Sequence, residues 1–311
     1  MQNGRFIRFW THKMSQAKLP TIAFVGLGVM GFPMAGHLAA RGYSVQVYNR
    51  TQTKAEAWLA KHQNGSCRVG ATPAAAAQGA EIVLMCVGND DDVRSVVYGD
   101  DGILATMQQG SLLIDHTTAS EELAQELAQA CKARGVGFLD APVSGGQAGA
   151  ENGALTIMAG GSESEFGLGI PLFEVYGKKH ALMGPHGAGQ LTKMVNQICI
   201  AGVLQGLSEG VHFAQKAGLN VDDVVDVIAQ GAAQSWQMEN RAATMKEDEF
   251  EFGFAVDWMR KDLGIALEAG RGLHAKLPLT ALVDQFYADV QAMGGGRWDT
   301  SSLLRRLTPP S

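Results

Sequence analysis

Long apolar runs are missing from the 311 residues. None reaches the roughly 18 consecutive apolar side chains that a membrane-crossing helix needs. Cysteine is scarce too. Cys67, Cys86, Cys131 and Cys199 stand apart, with no CxxC pair and no histidine cluster nearby. That spacing excludes a disulfide framework and a zinc site, so no metal is expected, and it fits a reducing cytoplasm. Charged residues make up 18%, below the usual quarter, while hydrophobic residues at 46% are enough for a sizeable core and exclude a disordered chain.

The charge is unevenly spread. Met1–Pro20 carries Arg5, Arg8, Lys13 and Lys18 and no acid, and the remaining 291 residues carry 21 basic and 31 acidic side chains. A body this acidic has no electrostatic footprint for duplex nucleic acid or an anionic membrane. The basic start lacks the apolar core and small-residue cleavage site of a signal peptide. We expect residues 1–18 to be an extension from a vector-derived or misassigned start, with Met14 opening a natural-looking MSQAKLPTIAFVGLG. Glycine, at 39 residues, is nearly double its average usage and not periodic, which excludes collagen and implies many tight turns.

From Pro20 short apolar runs alternate with helical stretches. Thr21–Val25, Ser44–Tyr48, Glu81–Val87, Ser111–Asp115 and Gly137–Asp140 read as buried strands. Helices fall between them, one of them Ser120–Arg134 with Ser120 as its N-cap. Gly153–Ala159 and Lys179–Met183 extend the same sheet. This alternation means a mainly parallel sheet covered on both faces, an α/β Rossmann-type architecture. After Gly184 every segment is helical in pattern. A long helix over Gly189–Lys216 is expected to bury a stripe of Leu191, Met194, Val195, Ile198, Cys199, Val203 and Leu207. The expected division is an extension over 1–18, a nucleotide-binding domain over 19–184 and an all-α domain over 185–311 joined through that helix.

Gly26-Leu27-Gly28-Val29-Met30-Gly31 is a GxGxxG between the first strand and the first helix. It suits a sharp turn, close approach to a pyrophosphate and tight helix packing, with the phosphates at the positive end of the helix dipole. The second strand ends in Asn49-Arg50-Thr51 and not in an acid. Arg50 can grip a 2′-phosphate and no carboxylate there repels one, so NADP is favoured over NAD. Ser144, Gly145 and Gly146 follow a strand and form a small anion cradle suited to a carboxylate, or else an ordinary tight loop. Lys193, Asn196 and Gln197 share one helix face. A lysine among Leu191, Met194 and Val195 can be partly desolvated, which suits acid/base work, although a helix-surface lysine has the same spacing.

Four blocks together resemble the β-hydroxyacid dehydrogenase family: FVGLGVMGFPMAGHLAARG, DAPVSGGQAGAENGAL, GAGQLTKMVNQ and MRKDLGIALEAG. The family includes 3-hydroxyisobutyrate dehydrogenase, tartronate semialdehyde reductase and glyoxylate/succinic semialdehyde reductases. The resemblance runs from about Leu19 to Leu307. It implies Lys193 as the catalytic lysine, Asn196 as a substrate-binding residue, and Ser144, Gly145 and Gly146 as the substrate carboxylate cradle. Gln197 stands where many members have a second asparagine. Thr118 matches the hydroxyl residue near the nicotinamide, and Lys261 matches the lysine that reaches the cofactor from the helical domain. In Cys86-Val87-Gly88-Asn89 glycine replaces the usual proline, so Val87 and Asn89 are expected on the adenosine side through a weakened match.

The implied activity interconverts a short β-hydroxy acid and its semialdehyde, in a homodimer or homotetramer. Imine reductases share the architecture but usually lack the lysine, and a non-catalytic cofactor-binding module would favour its loss. His116 reads either as a cleft-lining or as a satisfied loop histidine. Trp236, with Met238 and Asn240 near it, reads as a helix-packing residue or as part of the substrate-pocket wall.

Overall fold

The computed structural model describes residues 19–62 and 66–307; the expected extension over 1–18 lies outside them. Nine strands form one sheet: β1 (Thr21–Val25), β2 (Ser44–Tyr48), β3 (Arg68–Val69), β4 (Ile82–Met85), β5 (Leu112–Asp115), β6 (Gly137–Asp140), β7 (Val143–Ser144), β8 (Leu155–Gly160) and β9 (Gly177–Gly184). Their spatial order is β3-β2-β1-β4-β5-β6-β8-β7, with β9 on β8. The first six are parallel, β8 runs antiparallel to β6 and β7, and β9 is parallel to β8. β1 lies between β2 and β4, where a doubly wound sheet reverses direction and opens a crevice at its carboxyl edge.

Eight helices accompany the sheet: α1 (Gly31–Ala40), α2 (Gln52–Lys61), α3 (Pro73–Ala77), α4 (Asp90–Val97), α5 (Ile103–Thr106), α6 (Glu121–Ala133), α7 (Gly146–Glu151) and α8 (Glu163–Tyr176). They cover both faces, and one apolar core lies on each side. Phe24, Leu38 and Trp58 belong to the first, Val83, Val93 and Leu127 to the second. Alternate residues of β1 feed opposite cores, so its near-continuous apolar run is required by two covered faces. Local signals set the helix ends. Ser120 accepts from the Leu123 N–H and caps α6 as expected, and Gly42, at φ +95°, stops α1. β4 is shorter than the run Glu81–Val87, because the Val87 N–H donates to Thr117 Oγ1 and not to a neighbouring strand.

The second half is helical: α9 (Ala188–Lys216), α10 (Val221–Ile228), α11 (Trp236–Lys246), α12 (Val256–Gly272), α13 (Pro278–Ala292) and two 3₁₀ segments, Gly295–Arg297 and Thr300–Arg306. Among the described residues no helix is long and apolar enough to cross a membrane. The expected stripe on α9 needs correction. Val195, Cys199 and Val203 are exposed, while Gln190, Lys193, Met194, Gln197, Ala201 and Leu204 are buried. Gln190 and Gln197 of that buried face find partners on the loop after β5 and on α12, so burying them costs less than spacing alone suggests.

Two glycines show how differently this backbone tolerates a methyl group. A Cβ on Gly189 would overlap the carbonyls of Met158 and Asp140, neither of which can yield, whereas one on the exposed Gly167 in α8 would meet nothing within 4 Å. In denaturant unfolding Gly189→Ala should cost about 1–3 kcal/mol, and Gly167→Ala should add about 0.5–1 kcal/mol.

Candidate active site

The carboxyl ends of β1, β2, β4, β5 and β6 converge, and each supplies one loop. The three glycines after β1 serve three needs. Gly26 sits at φ +95°, and a Cβ there would run into the Cys86 carbonyl at the end of β4. Gly31 packs α1 against β1, because its Cβ would overlap the Gly26 carbonyl and crowd the Phe24 ring. Gly28 is different: nothing lies within 4 Å of its absent Cβ. That open backbone is where a pyrophosphate can come close. Val29 is 63% exposed beside it. Met30 provides no side-chain cap and the first turn of α1 has no acid; the Phe32 N–H is taken by the Gly28 carbonyl and Pro33 has none, so of the first three helical positions the Gly31 N–H remains available to an anion. These residues fit a dinucleotide.

Asn49 secures this loop from β2. Its Oδ1 accepts from the Leu27 N–H at 2.9 Å, and its Nδ2 donates to the Thr51 carbonyl at 3.0 Å. Thr51 is the N-cap residue of α2, and its side chain makes no cap bond. Arg50 is free of that scaffold but not of acids. Its Nη1 lies 3.0 Å from Asp92 Oδ1. The expectation that no carboxylate faces this position is therefore corrected: the acid comes from α4, more than forty residues away in sequence. Asn89 caps α4 by accepting from the Asp92 N–H, so its carbonyl oxygen is already engaged.

Lys261, on α12, straps the helical half to the sheet loops. Its ammonium donates to the carbonyls of Gly88 and Thr118 and pairs with Asp262 Oδ1 at 3.1 Å. The two carbonyls belong to the loops after β4 and β5, so one side chain fixes the spacing of both. Thr117, beside Thr118, accepts from Val87 and donates its own N–H to Asp115. Burial pushes the Asp115 carboxyl up to about 7. His116 is fully enclosed, and burial pushes it down to about 4. Its Nδ1 faces the Ala141 carbonyl at 2.6 Å, which can only accept, so Nδ1 carries the proton and Nε2 accepts from Tyr176 Oη at 2.9 Å. It is a neutral core histidine.

The loop after β6 and the start of α9 bring the remaining candidates together. Ser144 ends β7, Gly145 adopts φ +134° and Gly146 φ +61°, and nothing fills the space at Gly146. Ser144 Oγ lies 3.5 Å from Asn196 Oδ1, a long contact that nevertheless places both on one cleft. Lys193, three residues earlier on α9, is 7% exposed. Among the described residues its ammonium has no hydrogen-bond partner. Burial, opposed by the charge of Asp262 and aided by the nearby Lys261, pulls it down to about 8. Gln197 is buried and committed at both ends. Its Nε2 donates to Asp262 Oδ2 at 2.6 Å, and its Oε1 accepts from Asn196 at 2.7 Å. It braces Asn196 rather than offering a free amide. Trp236 is half-exposed, with the Arg241 guanidinium 4.9 Å from its ring centroid.

Two residues at this junction had no expected role. Asp140 accepts from the Gly187 and Gln190 N–H groups at 2.8 and 3.0 Å, capping the first turn of α9 with a buried carboxylate. Gln190 accepts from the Ala119 N–H and donates to the Thr117 carbonyl. Together they fix α9 against the loops after β5 and β6. Their signal was present as polar residues at helical spacing, Gln190, Lys193 and Gln197.

Burial holds the Asp140 carboxyl at about 6, above its unfolded value. Its contribution to stability is therefore fully present near pH 4 and is lost as pH rises through 6. In denaturant unfolding, wild type should gain on Asp140→Asn between pH 7.5 and 5. Asp140→Ala, which orphans two buried N–H groups, should cost roughly 2–5 kcal/mol.

Comparisons with known proteins agree with this geometry. Residues 21–184 match the model for the NAD binding domain of 6-phosphogluconate dehydrogenase, and residues 187–307 match that for the NAD-binding of NADP-dependent 3-hydroxyisobutyrate dehydrogenase. The chain is 60% identical to an uncharacterized oxidoreductase of Shewanella frigidimarina, over 92% of this chain and 97% of that one. It is 40% identical to a probable 3-hydroxyisobutyrate dehydrogenase-like protein of Arabidopsis thaliana, over 92% and 84%. A solved structure of Mycobacterium tuberculosis 3-hydroxyisobutyrate dehydrogenase with L-serine superposes at TM-score 0.82 with 31% identity, covering 93% of this chain and 99% of that one. The chain belongs to the β-hydroxyacid dehydrogenase family and is an NAD(P)-dependent oxidoreductase.

Proposed function

We propose that the protein interconverts a short β-hydroxy acid and its semialdehyde, with NADP preferred over NAD and Lys193 exchanging the proton. The observation that carries this reading is a nearly enclosed lysine, with no hydrogen-bond partner among the described residues, one helical turn from an asparagine that meets Ser144. Such an amine has no structural work to do where it sits. Relatives named 3-hydroxyisobutyrate dehydrogenase support the substrate class.

The nicotinamide, when bound, supplies or takes up the hydride. The backbone from Gly26 to Gly31 and the N-terminus of α1 hold its pyrophosphate, while Arg50 and Thr51 face the 2′-phosphate of the adenosine. Lys261 keeps the loops after β4 and β5 in register, with Val87, Asn89 and Thr118 along them. The substrate carboxylate lies in the cradle of Ser144, Gly145 and Gly146, and the second amide hydrogen of Asn196 is available to it. In the reducing direction the Lys193 ammonium donates its proton to the carbonyl oxygen as negative charge builds there. In the oxidising direction the neutral amine takes the hydroxyl proton. A group that titrates near 8 can do both close to neutral pH.

Steady-state kinetics with 3-hydroxyisobutyrate and its semialdehyde test the assignment. Oxidation should speed up as pH rises through about 8, and reduction should slow over the same range. Lys193→Ala should lose roughly 10²–10⁴-fold in kcat while retaining cofactor binding; near-normal turnover refutes it. Asp262→Asn removes the charge that props the lysine up, so both pH limbs should move to lower pH.

A further inference from the structure

Asp92 faces the position where this protein tells its two possible cofactors apart. β2 is followed by Asn49-Arg50-Thr51 without an acid, yet Asp92 Oδ1 stands 3.0 Å from Arg50 Nη1. Its neighbours in the acidic first turn of α4 are otherwise placed. Asp90 accepts from the N–H and hydroxyl of Ser120, and Asp91 is 96% exposed, 3.8 Å from Arg94. Asp92 alone turns towards Arg50.

The bare backbone at Gly88 makes that possible. A Cβ there would overlap Asp92 Oδ2 and lie 3.2 Å from the Trp258 ring. Any side chain at position 88 would therefore displace the carboxylate. Gly88 and the acid beside Arg50 are one coupled feature. Arg50 itself is 85% exposed, so water screens its pair with Asp92 and a ligand can exchange it.

We propose that Asp92 is a cofactor-specificity residue that narrows the preference for NADP, keeping NADH usable. This rests on Arg50 as the 2′-phosphate contact. An arriving 2′-phosphate gains Arg50 but meets a second anion and must displace an existing partner, whereas a ribose 2′-hydroxyl pays neither cost. Arg50 draws phosphate in, and Asp92 limits how much that attraction is worth.

Calorimetry separates the two contributions, with adenosine 2′,5′-bisphosphate and adenosine 5′-monophosphate as probes. Asp92→Asn should tighten the bisphosphate about two- to fivefold and leave the monophosphate unchanged. The ratio of kcat/KM for NADPH over NADH should rise by the same factor. Gly88→Ala should move both readouts in the same direction, and Asp92→Asn should add little on top of it. If Asp92→Asn leaves the bisphosphate affinity unchanged or weaker while Arg50→Ala loosens it, the role of Asp92 is overturned and that of Arg50 stands. If Arg50→Ala leaves bisphosphate binding untouched, the 2′-phosphate contact and the proposal fall together.

Discussion

Removing an ammonium group from water costs several kcal/mol even after the protein relaxes around it, and Lys193 is almost wholly removed. The first turns of α9 are organised around that cost. A salt bridge directly to Lys193 would offset it but would also return the pKa towards that of an ordinary lysine. Instead the opposing carboxylate, Asp262, is held by Gln197 and Lys261 and acts on Lys193 through space. The result is a partial correction: the amine stays ionisable near neutral pH and its hydrogens stay uncommitted. Holding it there demands rigidity, which comes from the buried caps of Asp140 and Gln190 on the same helix.

Two side chains of the helical half bond to the backbone of the sheet loops. Lys261 reaches the carbonyls of Gly88 and Thr118, and Gln190 reaches the backbone of Thr117 and Ala119. The loop between β5 and α6 is thus held from α9 and from α12 at once. A change in domain spacing would disturb the loop after β5 and the placement of Lys193 together. Buried polar networks of this kind cost little when every member is satisfied and much when one is removed. The loop after β5 and the first turns of α9 are mechanically linked for that reason.

What could be read from the sequence was local. Strand runs, the glycine loop between β1 and α1, the Ser120 cap and the order of the four family blocks depend on neighbours a few residues apart, and the fold follows from them. The buried face of α9 was misjudged because Val195, Cys199 and Val203 look more apolar than Gln190 and Gln197. Which face is covered depends on Asp140 and Asp262, roughly fifty and sixty-five positions away. The acid beside Arg50 was missed for the same reason, since it arrives from α4. The state of His116 is likewise set from afar, by Ala141 and Tyr176, which occupy both ring nitrogens. Lys193 was legible as a candidate through its motif, but its desolvation is a property of the assembled cleft.

The protonation state of that one amine can be observed without turnover. In protein with ¹³C-labelled lysines, the Lys193 side-chain signal, assigned by its absence in Lys193→Ala, can be followed from pH 6 to 11. A midpoint near 8, well below that of an ordinary lysine, is the result expected from an enclosed ammonium opposed only in part by Asp262. A midpoint near 10.5 would mean the amine is solvated or firmly paired, and the desolvated-lysine account would be wrong.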